Sequence, residues 1–520
     1  MRRFLSMVSL ALAVGLAAAA SASAAVDPLV RVTGPSPFPA GCNTSTNGTV
    51  YPGAEVEPYL ASNPADTHDL IGVWQQDRWS TGGAQGLLTG VSSDRGATWT
   101  LPTPPTFSHC QGGNASNGGD YDRASDPWVS IGPTGDAYQI GLGLSNDLVT
   151  SAILVSKSSD VGHTWGPITT LKRDDDPRFL NDKESITADR LDPKRAYAVW
   201  DRLFIQNPAD PNSNFFGPTW FSRTTNGGKT WKKARKIFDP GLNNQTLGNQ
   251  IVELPNGTLF DVFDLIIQGN TFVAYIRSTN HGKTWSRHPT IVDALESIGV
   301  VDPRDVAPVR TGDILPEAAV DPRPGTHNIY LTWQDARFSA GHADQVAFTS
   351  SSDGGATWTP TKLIAPDGIL QSFTPMVSVA NNGDVAVTYY DFTFDTPASP
   401  TLDTDYWVTR SSDGGATFHP RERITPTSFD MRSAPVARGF FVGDYEGLAP
   451  SADFSPLFVA ANTGNTANPT DVFSTLVHGP LPTAASRAHA AHRAHAHRAA
   501  RKSRRTPGRL SRRAHPVAIH

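Results

Sequence analysis

An eight-residue unit recurs six times in this 520-residue chain and limits what the chain can fold into. The copies are S-S-D-R-G-A-T-W at 92–99, S-S-D-V-G-H-T-W at 158–165, T-T-N-G-G-K-T-W at 224–231, S-T-N-H-G-K-T-W at 278–285, S-S-D-G-G-A-T-W at 351–358 and S-S-D-G-G-A-T-F at 411–418. Their Asp or Asn falls at 94, 160, 226, 280, 353 and 413, in steps of 66, 66, 54, 73 and 60. A period of that size with a turn inside it marks a repeat architecture. Each position has a mechanical reason. Asp or Asn bonds nearby backbone N–H groups and shapes a tight turn. Gly supplies left-handed backbone that a Cβ resists. The terminal Trp, or Phe418, is a large apolar plug for the space between neighbouring sheets.

The unit reads as a hairpin tip between two strands, and the pattern resembles the Asp-box, or BNR repeat, of the sialidase-like β-propellers. That resemblance implies an all-β propeller of four-stranded blades. Second strands are expected at 70–74, 137–141, 195–200, 258–263, 328–333 and 384–390. A seventh set at 440–448, 456–461 and 471–477 has no box and lacks an outer strand, which 29–33 can supply by joining the two chain ends. About 450 residues over seven blades gives roughly 65 each, in keeping with the box spacing. Seven blades are therefore expected, with the six of sialidase catalytic domains as the alternative.

Met1-Arg2-Arg3, an apolar run to Ala20 and small residues to Ala25 read as a secretory signal peptide. This predicts a secreted, extracellular protein whose propeller spans 26–482. Only Cys42 and Cys110 are present, and an isolated pair in an exported chain predicts a disulfide. Residues 484–520 hold ten Arg or Lys, six His and no acid, which leaves −15 of formal charge on the rest of the chain. Such a tail is expected to be disordered; it either contacts an anionic cell surface or folds back on the acidic body. No transmembrane segment is expected, and nucleic acid is not the expected partner of the body. No His pair has metal-ligand spacing, so neither a metal nor any other cofactor is predicted. A hub Ca²⁺ held by carbonyls and acids is not legible from sequence.

The face away from the boxes is the expected place for chemistry. Second strands end there in Trp74-Gln75-Gln76-Asp77-Arg78, Trp200-Asp201-Arg202 and Trp333-Gln334-Asp335-Ala336-Arg337. First strands begin near Glu55 and Glu57, Asp126, Asp182 and Glu184, Asn249 and Gln250, Glu317, and Asp444-Tyr445. One reading makes the repeated Asp–Arg pairs inter-blade bridges. In the other, the sialidase resemblance implies glycoside hydrolysis of a terminal acidic sugar. Arg78, Arg202 and Arg337 would then grip the sugar carboxylate with Asp77 and Asp335 beside them, since a planar guanidinium matches a carboxylate fork. Tyr445 would be the nucleophile, activated by Glu317 or Glu446, and Asp126 the acid. The F/Y-R-I-P segment of sialidases is absent, because Arg31-Val32 is followed by Thr33. A non-catalytic glycan-binding propeller and a protein-interaction propeller are the alternatives.

Overall fold

A computed structural model describes residues 26–364, 370–451 and 453–478. The expected signal peptide and the basic segment 484–520 lie outside the described residues. The fold is all-β, as expected, with antiparallel strands and three single-turn 3₁₀ segments. The first unit is Glu55–Ser62, Leu70–Arg78 and Ala84–Ser92, paired in that order. Six further antiparallel units open with Arg123–Ile131, Phe179–Ala188, Gln245–Glu253, Glu317–Val320, Ser372–Val379 and Gly447–Pro450. One pair, Ala84 opposite Ala124, links the first two units into a single sheet. Each opening strand lies against that of the next unit, and Gly447–Pro450 lies against Glu55–Ser62. In the last unit Val30–Arg31 pairs antiparallel with Thr470–Ser474, with Val30 opposite Ser474. The N-terminal strand thus takes the outer place expected of it.

The repeated units fold as their composition dictates. Asp94 accepts the Thr98 N–H at 2.8 Å and the Thr98 hydroxyl at 2.6 Å, while Ser92 Oγ accepts the Gly96 N–H at 2.8 Å. Asp160, Asp353 and Asp413 repeat this geometry, and Asn226 and Asn280 keep the backbone bond. Gly96 has φ 89°, where a side chain is strained. Four of the terminal rings pack on a ring of the preceding unit: Trp231 on Tyr138, Trp285 on Phe221, Trp358 on Tyr275 and Phe418 on Phe348. The plug between sheets is therefore a repeated aromatic contact, worth about 0.5–1.5 kcal/mol beyond its buried area.

One expected strand is not continuous. Residues 440–448 divide into Phe440–Phe441 and Gly447–Pro450, with a turn between them. Phe440–Phe441 instead pairs in parallel with Pro308–Arg310, which pairs with Val300–Val301. This small sheet joins the insertion before the fifth unit to the insertion before the seventh, and it brings Arg310, Phe441 and Asp444 together. At the division Gly443 packs against the Glu57 backbone, where a Cβ would stand 3.1 Å from the Glu57 nitrogen.

Cys42 and Cys110 form the expected disulfide, with Cα atoms 5.3 Å apart and a sequence separation of 68. A cross-link closing a loop of that length stabilises by up to about 4 kcal/mol through the unfolded chain. Replacing both cysteines with serine should lower the urea midpoint of unfolding under non-reducing conditions and leave the far-UV spectrum unchanged.

Candidate functional site

Five opening strands carry the same irregularity near their starts. Register slips by one residue at Glu57-Pro58, Asp126-Pro127, Lys183-Glu184, Gly248-Asn249 and Thr374-Pro375. The first residue of each pair is left-handed, with φ of 52°, 51°, 47°, 66° and 47°. Such bulges re-aim side chains and hold backbone strain that the surrounding structure must maintain. Here they turn Glu57, Asp126 and Lys183 toward one another.

The Lys183 ammonium is buried at the centre of this hub. It donates to Glu57 Oε1 at 3.1 Å and to Asp444 Oδ2 at 2.8 Å, and it lies 3.8 Å from Asp126 Oδ1. Arg310 Nε donates to the other Asp444 oxygen at 3.0 Å. Arg78 is fully buried and donates from Nη1 to Gln75 Oε1 at 2.6 Å, while its Nε and Nη2 have no partner. Arg78 and Arg310 both stack on Phe441, with centroid distances of 5.0 and 4.2 Å. Burial and the like charge of Arg310 pull Arg78 down to about 10. Burial opposes ionisation of Asp444, but Arg310 and Lys183 hold it well below the usual carboxylate range. Glu57 shares Lys183 with Asp444, and burial pushes it up to about 8 against that attraction.

Beside the hub is a cavity of about 30 Å³, lined in part by Asp126, Lys183, Glu184, Leu315, Glu317 and Tyr445. That is room for one or two waters. Asp126 Oδ2 and both Glu184 oxygens are buried without a hydrogen-bond partner. Burial, only partly offset by a 3.4 Å contact from Gln250, raises Glu317 to about 8, so it keeps its proton at neutral pH. Burial and the Asp126 charge raise Glu184 well above its ordinary value. Tyr445 donates to the Pro127 carbonyl at 3.1 Å and packs edge-on against Trp128. Burial, then Glu57 and Asp126, push its phenol far up, which is the reverse of nucleophile activation.

The sequence-predicted residues thus divide. Asp126, Glu317, Tyr445 and Arg78 come to the hub or its cavity. Arg202 does not: it forks onto Asp174 at 2.8 and 2.7 Å and stacks on Phe179 and Trp220. Arg337 binds Asp335 and Asp293, and Asp335 also accepts from the Trp333 indole. Asp77 bonds Ser36, the Gly53 N–H and Gln85. The expected three-arginine clamp is therefore not assembled. Arg202 and Arg337 are neutralised by carboxylates within or between sheets, as the bridging reading holds, whereas Asp77 bonds uncharged groups and Arg78 bonds Gln75. Glu446 also turns away from Tyr445 and accepts from the Tyr390 hydroxyl at 2.8 Å. Lys183 and Arg310, which organise the hub, were not singled out from the sequence. The local sign was the acidic or polar residue before proline in Glu57-Pro58, Asp126-Pro127 and Thr374-Pro375, because proline in a first strand marks a bulge.

The opposite end of the opening strands borders a wider channel of about 320 Å³. Tyr59 and Trp128, stacked at 3.5 Å, lie between channel and hub, and Trp128 lines both spaces. The repeated turns are on the channel end: Arg95, Gly227 and Gly354 donate their backbone N–H groups to the turns that join first and second strands.

No protein-family model matches this chain, and neither does any curated protein. Among solved structures it is similar to an alpha-L-arabinanase of Penicillium chrysogenum, at 15% identity over 70% of this chain and 94% of that one, with a TM-score of 0.45. It is also similar to the Trypanosoma rangeli sialidase, at 14% identity over 72% and 57% of the two chains, with a TM-score of 0.40. A third is an ulvan lyase of a polysaccharide lyase family, at 14% identity over 66% and 80%, with a TM-score of 0.39. At these overlaps the likenesses assign this chain no residue role and no substrate. No helix among the described residues is long and apolar enough to cross a membrane.

Removing the Lys183 charge leaves Glu57, Asp126 and Asp444 buried together. Lys183→Met should cost about 3–5 kcal/mol in urea unfolding, and adding Glu57→Gln should recover part of it. The raised carboxylates set a pH dependence. Glu317 has an ordinary value of 4.5 and a folded value of about 8, so between them the native state holds a proton that the unfolded state has lost. Stability should fall as pH rises from about 5 to 8. Glu317→Gln should flatten that slope and be relatively more stable at pH 8.

Proposed function

We propose that this chain is an exported glycan-active β-propeller of seven blades on Asp-box turns, closed by its N-terminal strand, that hydrolyses a terminal acidic sugar at the hub. The observation that carries the chemistry is Glu317, proton-holding at neutral pH, sharing one small cavity with Asp126, Glu184 and Tyr445. Glycoside hydrolysis requires a proton donor for the leaving oxygen and a carboxylate for the oxocarbenium-like centre. In this reading Glu317 gives its proton to the glycosidic oxygen as the C–O bond breaks. Asp126, oriented by Lys183, stabilises the positive anomeric carbon. Water then adds to that carbon, and its proton restores Glu317. The unpartnered Arg78 nitrogens supply charge for a sugar carboxylate. Tyr445 takes a positioning role through its bond to Pro127, instead of the nucleophilic role that the sialidase resemblance implied.

A pyranose ring does not fit in about 30 Å³, so in this reading the cavity lining must open to admit substrate. The channel supports a second reading. At about 320 Å³, with an aromatic floor of Tyr59 and Trp128, it is large enough to hold a sugar without catalysis. The basic residues of 484–520 complete the proposal as a contact for an anionic cell surface.

Turnover of fluorogenic α-sialosides, uronides and neutral glycosides tests these readings. The hydrolase reading expects release from an acidic glycoside, with kcat lowered at least 100-fold by Glu317→Gln and by Asp126→Asn. Folded protein that releases nothing but binds glycans, with binding lost in Ala319→Trp and kept in Glu317→Gln, would replace it with the channel reading.

A further inference from the structure

On the channel end, three side chains from two neighbouring sheets converge: Asp189 just after Phe179–Ala188, Glu253 at the end of Gln245–Glu253, and His281 in the fourth box. One ligand atom from each lies within 4.8 Å of the other two. Asp189 and Glu253 are buried, and His281 is partly exposed. Glu253 Oε1 and His281 Nδ1 are buried atoms with no hydrogen-bond partner. Two buried polar atoms without a hydrogen-bond partner, set beside a third ligand group, carry a desolvation cost.

The remaining atoms are fixed by their own bonds. Asp189 Oδ1 accepts the N–H groups of Leu191 and Asp192, and Oδ2 accepts the Tyr197 hydroxyl at 2.5 Å. Glu253 Oε2 accepts the Arg190 N–H at 2.8 Å. These bonds orient the carboxylates from behind, as outer-shell partners do around bound metals. Arg195 faces Asp189 at 3.7 Å, and it is shared with Asp192 at 3.2 Å. A Cβ at Gly257 would stand 3.4 Å from His281 Cε1 and 3.9 Å from Glu253 Oε1, so glycine leaves that side open.

We propose that Asp189, Glu253 and His281 bind a divalent cation that ties the third and fourth sheets together beside the channel. One imidazole nitrogen with two carboxylates suits a borderline cation such as Zn²⁺ or Mn²⁺ and does not suit Ca²⁺, which takes oxygen ligands. His281 Nδ1 and Asp189 Oδ2 are 3.8 Å apart. Donors held at about 2.1 Å by one tetrahedral ion stand roughly 3.4 Å apart, so this pair would close by a few tenths of an ångström. Arg190 and Glu253 also line the channel, so the ion would sit at its wall.

The chain offers its own control. The position of His281 is glycine in three other boxes, at Gly227, Gly354 and Gly414, all with positive φ like His281 itself. His281→Gly therefore keeps the turn and removes one ligand, and Glu253→Gln removes another with little change of shape. Full-length protein stripped with chelator is titrated with Zn²⁺ and followed by thermal unfolding, with Co²⁺ absorption as a second readout. The six histidines between 489 and 520 are the same in all three proteins, so differences report this site. The expected result is a saturable Zn²⁺-dependent rise in Tm, with affinity at least tenfold weaker in each variant. No rise in the parent protein, or an equal rise in all three, would overturn the site. Neither result bears on glycoside turnover at the hub.

Discussion

One buried ammonium holds the centre of this molecule. Lys183 comes from the third unit, Glu57 from the first, Asp126 from the second, and Asp444 from the segment entering the seventh. A cation of this kind is costly to bury unless every charge around it is matched. The match here is made by residues 126 and 261 positions away in sequence. The hub is therefore complete only when units from both ends of the chain are in place. The bulges that aim these side chains, and the left-handed backbone they require, persist because the ion pairs and neighbouring strands hold them.

The same arrangement separates structural from chemical polarity. Two of the second-strand arginines find carboxylates close by, Arg202 on Asp174 and Arg337 on Asp335 and Asp293. The hub residues are irregular, and several atoms stay unsatisfied: two nitrogens of Arg78, one oxygen of Asp126 and both of Glu184. Repetition follows from what every sheet needs to stand beside the next. Imbalance is confined to a few positions, and chemistry is more readily read from those.

This contrast explains what was legible in sequence. The six repeated turns, the second strands, the disulfide and the pairing of the N-terminal strand follow from local turn chemistry and period, and the structure repeats them. Asp126 and Glu317 were legible because strand order alone puts opening-strand acids near one axis. Arg202 and Arg337 were misread because a motif repeated after an aromatic residue looks like a ring of ligands, whereas each guanidinium reaches only a nearby carboxylate. Lys183 was not legible, since Asn181-Asp182-Lys183-Glu184 reads as solvated charge until the bulge turns it inward. Arg310 and the division at 440–448 depend on a parallel pairing between insertions far apart in the chain, which no local pattern announces.

The pairing of Val30–Arg31 with Thr470–Ser474 has a consequence for biogenesis. The first strand to emerge from the ribosome is a member of the last sheet that can be completed. Until residues near 470 are available, that strand has no partner, the first sheet has no neighbour on one side, and Lys183 lacks Asp444. Synthesis from the N-terminus therefore yields an open arc with unpaired strand edges, the kind of intermediate that invites misassembly.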